Sequence, residues 1–145
     1  MPKAQRYCAY RDRCVWEMEL KLTEWGLSKK DIDEIVDDLV ETDFINEDRY
    51  LLSYTRGKFL SNSWGKIKIR QSLRQKNISG EKIDWALKKI DDTDYAKMIN
   101  KLLVKKLKDL SNLEPRTRQS RTYYYMVSKG YEPDVFIPYL KKLSS

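Results

Sequence analysis

Lysine and arginine side chains are the residues whose spacing could do chemistry in this sequence, and that chemistry is the binding of a polyanion. From Leu51 to Gly80 there is no acidic residue. Within this stretch Lys66, Arg70 and Arg74 are four residues apart, so on a helix they share one face. Such a row can neutralise successive phosphates of a nucleic acid and release their counterions. The sequence therefore predicts a basic binding face in the middle of the chain.

A second basic block lies nearer the C-terminus. Its lysines, from 97 to 108, step by four or three residues, and arginines follow just ahead of three consecutive tyrosines, 123–125. Arginine beside an exposed aromatic ring can clamp a backbone and stack a base. We nevertheless expect two of the three tyrosines to pack in the core. We also expect the four tryptophans to be mainly packing residues. The candidate binding residues are Arg56, Lys58, Lys66, Lys68, Arg70, Arg74, Lys76, Lys101, Lys105, Arg116, Arg118 and Arg121.

The net charge of +7 is unevenly distributed along the 145 residues. Residues 1–50 hold 8 basic and 13 acidic side chains, whereas the remainder holds 21 basic and 9 acidic ones. This asymmetry favours a polyanion partner, or a protein that carries one. A solvated basic surface is the alternative, and the charge count alone leaves it open.

Nothing in the sequence predicts catalysis. There is no histidine, the commonest general base and metal ligand, and no glycine-rich phosphate loop. The carboxylates that cluster are Asp31, Asp33, Glu34, Asp37, Asp38, Glu41 and Asp43. On a helix they would cover the solvent side of an apolar stripe, so we interpret them as a solvated acidic face. We expect a protein that is not an enzyme and uses no cofactor or metal.

The cysteines and the apolar segments bear on the compartment. Cys8 and Cys14 have no further cysteine or histidine with which to complete a metal site, and we expect reduced thiols. No apolar run approaches the roughly 20 residues of a membrane span, and Met1–Arg13 lacks the apolar segment of a signal peptide. The sequence predicts a cytoplasmic protein with no membrane partner.

An internal repeat organises the chain. Three turn residues, Gly26, Asn77 and Gly130, lie 51 and then 53 residues apart. Glycine adopts the left-handed backbone freely and asparagine tolerates it, so each is predicted to end one helix before the next begins. Apolar residues match in all three copies, counted from the turn residue, at −4 (Leu22, Leu73, Met126), +1 (Leu27, Ile78, Tyr131), +6 (Ile32, Ile83, Phe136), +10 (Val36, Leu87, Leu140) and +13 (Leu39, Ile90, Leu143).

The predicted fold is all-α, with three tandem three-helix repeats, eight or nine helices in all, stacked into an elongated, curved array. The predicted repeats are residues 1–45 (acidic), 46–91 (basic) and 92–145 (basic), with leading helices at about 3–10, 46–62 and 94–110. Ser28 is the predicted N-cap of the acidic helix. Pro138 falls inside the last helix, which we expect it to kink or shorten.

A helix-turn-helix reader of DNA sequence has the same outline between Gly65 and Ile90. Its second helix would carry Glu81 and Asp84 towards the N-terminal end, where a recognition helix needs side chains that contact bases. The sequence therefore disfavours sequence-specific reading, while contact with phosphate or with protein remains open.

Three segments resemble the RecX family. The stretch Gly65–Ile78 is similar to the family's central signature, a glycine followed by a basic helix and a turn. Asn46–Tyr50 resembles the family's entry into the second repeat. Arg13-Cys14, with the residues at 19–22, resembles its N-terminal pattern. The resemblance covers roughly residues 7–106, and the third repeat is matched by periodicity alone. Asn77, Leu51, Ser72 and Cys14 stand where the family usually has glycine, alanine, glutamate and serine.

This resemblance implies a negative regulator of the RecA recombinase. Such a protein lodges in the groove of the RecA–DNA filament and blocks extension or promotes disassembly. It thereby lowers ATP hydrolysis, strand exchange and the co-protease activity towards the SOS repressor. The implied partners are RecA and, through the basic face, single- or double-stranded DNA, and we expect a monomer. The alternative is a helical nucleic-acid-binding module that acts independently of RecA.

Overall fold

The computed structural model describes residues 2–144, which form nine α-helices and no β-strand. The helices are α1 (Pro2–Tyr10), α2 (Val15–Glu24), α3 (Lys29–Glu41), α4 (Glu47–Leu60), α5 (Lys66–Gln75), α6 (Gly80–Leu87), α7 (Asp92–Asp109), α8 (Pro115–Ser128) and α9 (Pro133–Ser144). The all-α helical repeat fold predicted from the sequence is confirmed. The leading helices α1, α4 and α7 begin and end within two residues of their predicted bounds.

The repeated turns adopt the backbone that their residue types predict. Gly26, Asn77 and Gly130 have φ values of 84°, 59° and 93°. In the first and third copies the residue after the turn donates its N–H to the carbonyl five residues earlier, Leu27 to Leu22 (3.2 Å) and Tyr131 to Met126 (3.1 Å). This bond satisfies a carbonyl at the end of the helix. It also joins positions −4 and +1 of the apolar repeat, where a hydrophobic contact commonly accompanies this type of helix end.

The described residues divide into two compact units. The first comprises the residues up to Thr55 together with Leu73–Ala86, and the second comprises Arg56–Ser72 together with the residues from Leu87 onward. Helices α4, α5 and α6 therefore contribute residues to both units. The division into three sequence repeats stays a prediction.

The first unit buries the apolar face of the acidic repeat. Its hydrophobic cluster consists of Ala4, Cys8, Met18, Leu22, Ile32, Val36, Leu39 and Ile45. Helix α3 begins at the predicted N-cap, because the Ser28 hydroxyl accepts a hydrogen bond from the Asp31 N–H at 3.3 Å. Leu73 and Ile83, from the second segment of this unit, are fully buried as well.

The second unit is built around a series of aromatic rings. The Tyr95 ring centroid lies 5.8 Å from that of Phe59 and 5.3 Å from that of Tyr131. Aromatic pairs at this separation contribute beyond the area they bury. Ile69 of α5 and Phe136 of α9 are fully buried in the same unit. These rings link α4, α7 and the turn before α9.

The last repeat departs from the sequence pattern at its end. Of the two effects expected of Pro138, shortening is wrong, because α9 continues six residues beyond the proline, and a kink stays a prediction. The buried residues Phe136 and Leu140 on either side of the proline hold the helix in place despite the missing hydrogen bond. Leu143, which matches buried residues of the other two copies, is 38% exposed because it lies on the last turn of α9.

Truncation of Leu73 tests the position of the α5 core face. Leu73 is completely buried, so Leu73→Ala should lower the free energy of unfolding by about 2–5 kcal/mol. Chemical denaturation followed by circular dichroism measures this loss. Leu20→Ala is the matched control, because Leu20 is half exposed on α2 and should cost much less. If Leu73→Ala lowers the free energy of unfolding no more than Leu20→Ala does, the placement of Leu73 on the core face of α5 is contradicted.

Candidate nucleic-acid interface

The twelve predicted binding residues are unequally divided between the two units. Arg74 and Lys76 belong to the first unit, and the other ten belong to the second. The second unit is therefore the main carrier of the predicted basic surface.

The N-terminus of α5 is fixed by the end of α8 and by α7. The Gly65 N–H donates to the Lys129 carbonyl at 2.7 Å, and the Ile67 N–H donates to the Gly130 carbonyl at 2.9 Å. Between them, the Lys66 N–H donates to the Tyr95 hydroxyl at 3.0 Å. The first N–H groups of a helix have no acceptor within the helix. These three bonds give the N–H groups at the start of α5 acceptors from other helices. They also bring the negative end of α8 to the positive end of α5.

Two glycines allow this close approach. A Cβ atom on Gly65 would lie 2.3 Å from the Gly130 carbonyl oxygen. A Cβ atom on Gly130 would lie 2.3 Å from the Lys68 Cβ, and the φ of 93° at Gly130 also disfavours a side chain. The contact between α5 and the α8–α9 turn is therefore made by backbone against backbone.

Lys66 lies above the buried ring that supports this contact. Its ammonium is 4.7 Å from the Tyr95 ring centroid, and the Tyr95 hydroxyl donates in turn to the Glu132 carboxylate. Burial, and then the hydrogen bond to Glu132, raise the pKa of Tyr95, so this hydroxyl keeps its proton and its role as a donor. Lys66 is half-buried. It therefore contributes to the packing of the unit as well as to its positive charge.

A group of lysines surrounds Trp64, in the loop between α4 and α5. The ammonium groups of Lys58 and Lys68 lie 4.9 and 4.8 Å from the centroid of the Trp64 ring. The Lys129 ammonium donates to the Asn62 carbonyl at 2.8 Å. Burial, and then the charge of Lys68, lower the pKa of Lys129. We refer to Lys58, Trp64, Lys68 and Lys129 as the Trp64 cluster.

Sequence reasoning missed two members of this cluster. It assigned Trp64 mainly to packing and did not include Lys129. The available signal for Trp64 was its position within the acid-free stretch from Leu51 to Gly80. No local signal existed for Lys129, because its neighbours in the cluster lie more than sixty residues away in the sequence.

The remaining predicted residues of the second unit differ in how far they reach solvent. Arg56, Lys101, Lys105, Arg116 and Arg121 are exposed, whereas Arg70 is half-buried. Arg118, in contrast, donates to the Ser111 and Leu113 carbonyls at 3.3 and 3.4 Å, and so holds the α7–α8 turn.

The tyrosines after these arginines follow the expected pattern. Tyr123 packs against Phe136 with ring centroids 5.5 Å apart, and the Tyr125 ring lies under the Lys106 ammonium at 4.6 Å. Tyr124 is 66% exposed. Among the tryptophans, Trp16, Trp25 and Trp64 are half-buried, whereas Trp85 on α6 is 37% exposed.

In the first unit, Lys76 is engaged by neighbouring side chains. Its ammonium lies 3.9 Å from the Glu17 carboxylate and 5.0 Å from the Trp16 ring centroid, and its side chain is only 16% exposed. Arg74 is exposed. Lys76 therefore presents less charge to a partner than its place in the sequence suggests.

The segment Asn46–Arg49 forms an ion-pair clamp in the first unit. The Asn46 side-chain oxygen accepts a hydrogen bond from the Arg49 N–H at 2.9 Å, at the start of α4. The Arg49 guanidinium pairs with Asp12 at 2.6 Å and with Asp43 at 3.2 Å. The hydrogen bond from Asn46, and then the charge of Arg49, lower the pKa of Asp43. The clamp fixes the α1–α2 loop to the α3–α4 turn.

No group of side chains in residues 2–144 is arranged to hold a metal ion. The acidic residues of α3 are exposed apart from the half-buried Asp38, as expected of a solvated face. Cys8 and Cys14 are both free and buried, and burial raises the pKa of each thiol. None of the described helices is both long and apolar enough to cross a membrane.

Comparison of the chain with known proteins identifies a matching protein family. Residues 3–39 match the model of the first three-helix domain of RecX, and residues 46–87 match the model of the second three-helix domain of RecX. Together the two models match more than half of the chain. The chain belongs to the RecX family. The resemblance noted in the sequence is thereby confirmed.

Relatives and solved structures agree with this assignment. The regulatory protein RecX of Streptococcus sanguinis is 24% identical, over 86% of this chain and 48% of the relative. A crystal structure of regulatory protein RecX is 27% identical with a TM-score of 0.86, and covers 97% of this chain and 71% of that one. The crystal structure of RecX from Lactobacillus salivarius is 25% identical with a TM-score of 0.85, and covers 98% of this chain and 92% of that one. The chain spans about half the length of the first curated relatives it matches.

The geometry accounts for two of the segments that carry the RecX resemblance. Gly65 opens the central signature because no side chain fits against the Gly130 carbonyl. Asn46 and Arg49 open the second repeat because one begins α4 and the other holds two carboxylates. Both segments therefore have a structural role in this RecX-family chain.

A substitution at the α8–α9 turn tests the close approach. Gly130→Ala introduces both the steric overlap and an unfavourable left-handed backbone, so it should lower the free energy of unfolding by about 2–4 kcal/mol. The matched control is Gly57→Ala within α4, where an added Cβ meets nothing within 4 Å. That change should stabilise by about 0.5–1 kcal/mol, because glycine weakens a helix interior. Equal effects of the two substitutions on thermal denaturation would contradict the contact described.

The ion-pair clamp predicts a pH-dependent effect of Asp43→Asn. The pKa of Asp43 is lower in the folded protein than in the unfolded chain. The carboxylate therefore stabilises the fold at pH values above its unfolded pKa. This stabilisation is lost as the pH falls through the folded pKa. Asparagine tolerates the φ of 63° at this position. The variant should therefore be less stable than the parent at neutral pH and should match it in strong acid. A stability difference that does not change with pH would show that the charge contributes nothing.

Proposed function

We propose that this protein is a non-enzymatic negative regulator of the RecA recombinase. It binds in the groove of the RecA–DNA filament and blocks extension or promotes disassembly, which lowers ATP hydrolysis, strand exchange and co-protease activity. Membership of the RecX family carries this proposal, and relatives that bear the name regulatory protein RecX support a regulatory role. We further propose that it acts in the cytoplasm as a monomer.

The charges of each unit are suited to a filament of protein and DNA. Lys101 and Lys105 of α7 and Arg116 and Arg121 of α8 are exposed in the second unit, where they can neutralise phosphates or meet acidic protein surface. The exposed carboxylates of α3 in the first unit suit a basic protein surface instead. A partner that presents both polyanion and protein would use both kinds of surface.

A nucleic-acid-binding module that acts without RecA is the second candidate. The acid-free stretch from Leu51 to Gly80 favours it, since this charge would attract any nucleic acid. The two candidates differ in whether RecA changes its behaviour when the protein is added.

The test is the DNA-dependent ATP hydrolysis of the cognate RecA, measured with increasing amounts of this protein. We expect inhibition to increase with the amount added. Absence of inhibition at every ratio, together with salt-sensitive binding to bare DNA, would reject regulation of RecA in favour of the second candidate.

A pair of charge reversals locates the surface responsible. Lys101→Glu with Lys105→Glu changes two exposed residues on one side of α7, and should weaken inhibition without changing the melting temperature. Arg6→Glu with Lys88→Glu makes the same charge change at two exposed residues that lie outside α3, α7 and α8, and should leave inhibition almost unaltered. An equal loss in both double variants would indicate a response to net charge rather than to the α7 surface.

A further inference from the structure

A recess lies between the N-terminal part of α8 and the C-terminal part of α9, within the second unit. Its volume is about 330 Å³, and Tyr123, Ile137 and Leu140 form its apolar lining. No residue of Pro115–Arg121, the first two turns of α8, is buried, whereas Leu140 on the opposite helix is buried and Ile137 is half-buried. The exposed start of α8 therefore stands beside apolar side chains of α9 and leaves a space open to solvent.

The apolar lining fits an inserted protein side chain better than a nucleic acid. Ile137 and Leu140 are branched aliphatic side chains, and they offer no flat face on which a base could stack. The Tyr123 ring is already engaged, since its centroid lies 5.5 Å from that of Phe136 and 5.2 Å from that of Tyr124. A sugar–phosphate backbone would leave this lining in water. A large apolar side chain would bury it, as anchor residues do at protein interfaces.

The charges of the recess specify the residues that should flank such a side chain. Among the described residues that line it, the charged ones are the cations Arg116 and Lys141. The sequence from Pro115 to Tyr131 contains no acidic residue. Arg116 also lies in the first turn of α8, where the positive end of the helix dipole adds to its charge. A guanidinium can bind a carboxylate through two parallel hydrogen bonds, so acidic flanking residues complement this site.

We propose that this recess is a docking site for an acidic segment of a partner protein. The segment inserts one large apolar side chain against Ile137 and Leu140 and places a neighbouring carboxylate against Arg116. The apolar lining provides affinity for the inserted side chain, and the cations select a segment in which carboxylates surround it. This inference goes beyond the proposed function, since it holds whichever protein carries the segment.

The experiment measures binding of fluorescent synthetic peptides to the full chain by anisotropy, without RecA or DNA. The first peptide carries one phenylalanine with two aspartates on each side. The second has alanine in place of the phenylalanine, and the third has lysines in place of the aspartates. The parent protein should bind the first peptide about ten-fold more tightly than either of the others. Its affinity for the first peptide should fall as salt is added.

Two variants separate the apolar contact from the charge. Ser120 is an exposed residue of the lining, so Ser120→Trp should fill the recess and abolish the difference between the phenylalanine and alanine peptides. Arg116→Gln should weaken binding of the first peptide about three-fold and reduce its salt dependence, but should keep that difference. Ser53→Trp on α4 and Arg6→Gln on α1 change exposed residues outside the recess, and as matched controls they should bind like the parent.

The results divide clearly between support and rejection. Equal binding of the phenylalanine and alanine peptides by the parent overturns the proposal, and so does unchanged binding by a folded Ser120→Trp variant. Melting curves identify a variant that does not fold, and the peptide series with Arg116→Gln keeps the test valid if Ser120→Trp does not. Binding that needs phenylalanine, aspartate and an open recess, but not Ser53 or Arg6, supports the proposal.

Two other occupants of the recess would also overturn the proposal. One is nucleic acid, which would be shown by an oligothymidine that binds the parent more tightly than the first peptide and loses this affinity in Ser120→Trp. The other is a second copy of this chain, which would be shown by a dimer in sedimentation that Ser120→Trp dissociates.

RecA hydrolysis assays on the parent protein separate this proposal from the proposed function. If the parent inhibits RecA but does not distinguish the three peptides, the docking proposal fails and the regulatory function stands. If the parent binds the acidic peptide through the recess but never inhibits RecA, the regulatory function fails and the docking proposal stands.

Discussion

The second unit depends on one constraint, the contact of the α5 N-terminus with the end of α8. Neither Gly65 nor Gly130 can carry a side chain there, since an added Cβ would lie 2.3 Å from its neighbours. Three consecutive N–H groups at the start of α5 find their acceptors in this contact and in Tyr95. The positions of Lys66, Lys68 and Lys129 follow from it, and so does the geometry around Trp64.

Features that depend on residue type and local spacing were predictable from the sequence. The left-handed turns at Gly26, Asn77 and Gly130 were identified because few residue types favour positive φ. The Ser28 cap and the leading helices followed from equally local rules. The apolar repeat predicted the buried positions well because each helix must bury one stripe, and it was wrong at Leu143, where the helix ends.

Features that depend on long-range contacts were not predictable. Gly65 and Gly130 are far apart in the sequence, and no local pattern pairs them. The charges of Lys76 and Arg118 were visible, but their engagement by Glu17 and by the carbonyls of the α7–α8 turn was not. Ser63 and Asp43 adopt positive φ without being glycine, so their turns carry no comparable signal. A list of basic residues therefore contains both surface charges and charges that the fold itself uses.

The arrangement of the second unit has a consequence for biosynthesis. Its first segment, Arg56–Ser72, packs with residues that begin at Leu87 and continue into α9. A ribosome releases the chain from the N-terminus, so Phe59 and Ile69 leave it well before the helices that bury them in the folded protein. This part of the nascent chain therefore exposes apolar surface until α9 has also left the ribosome.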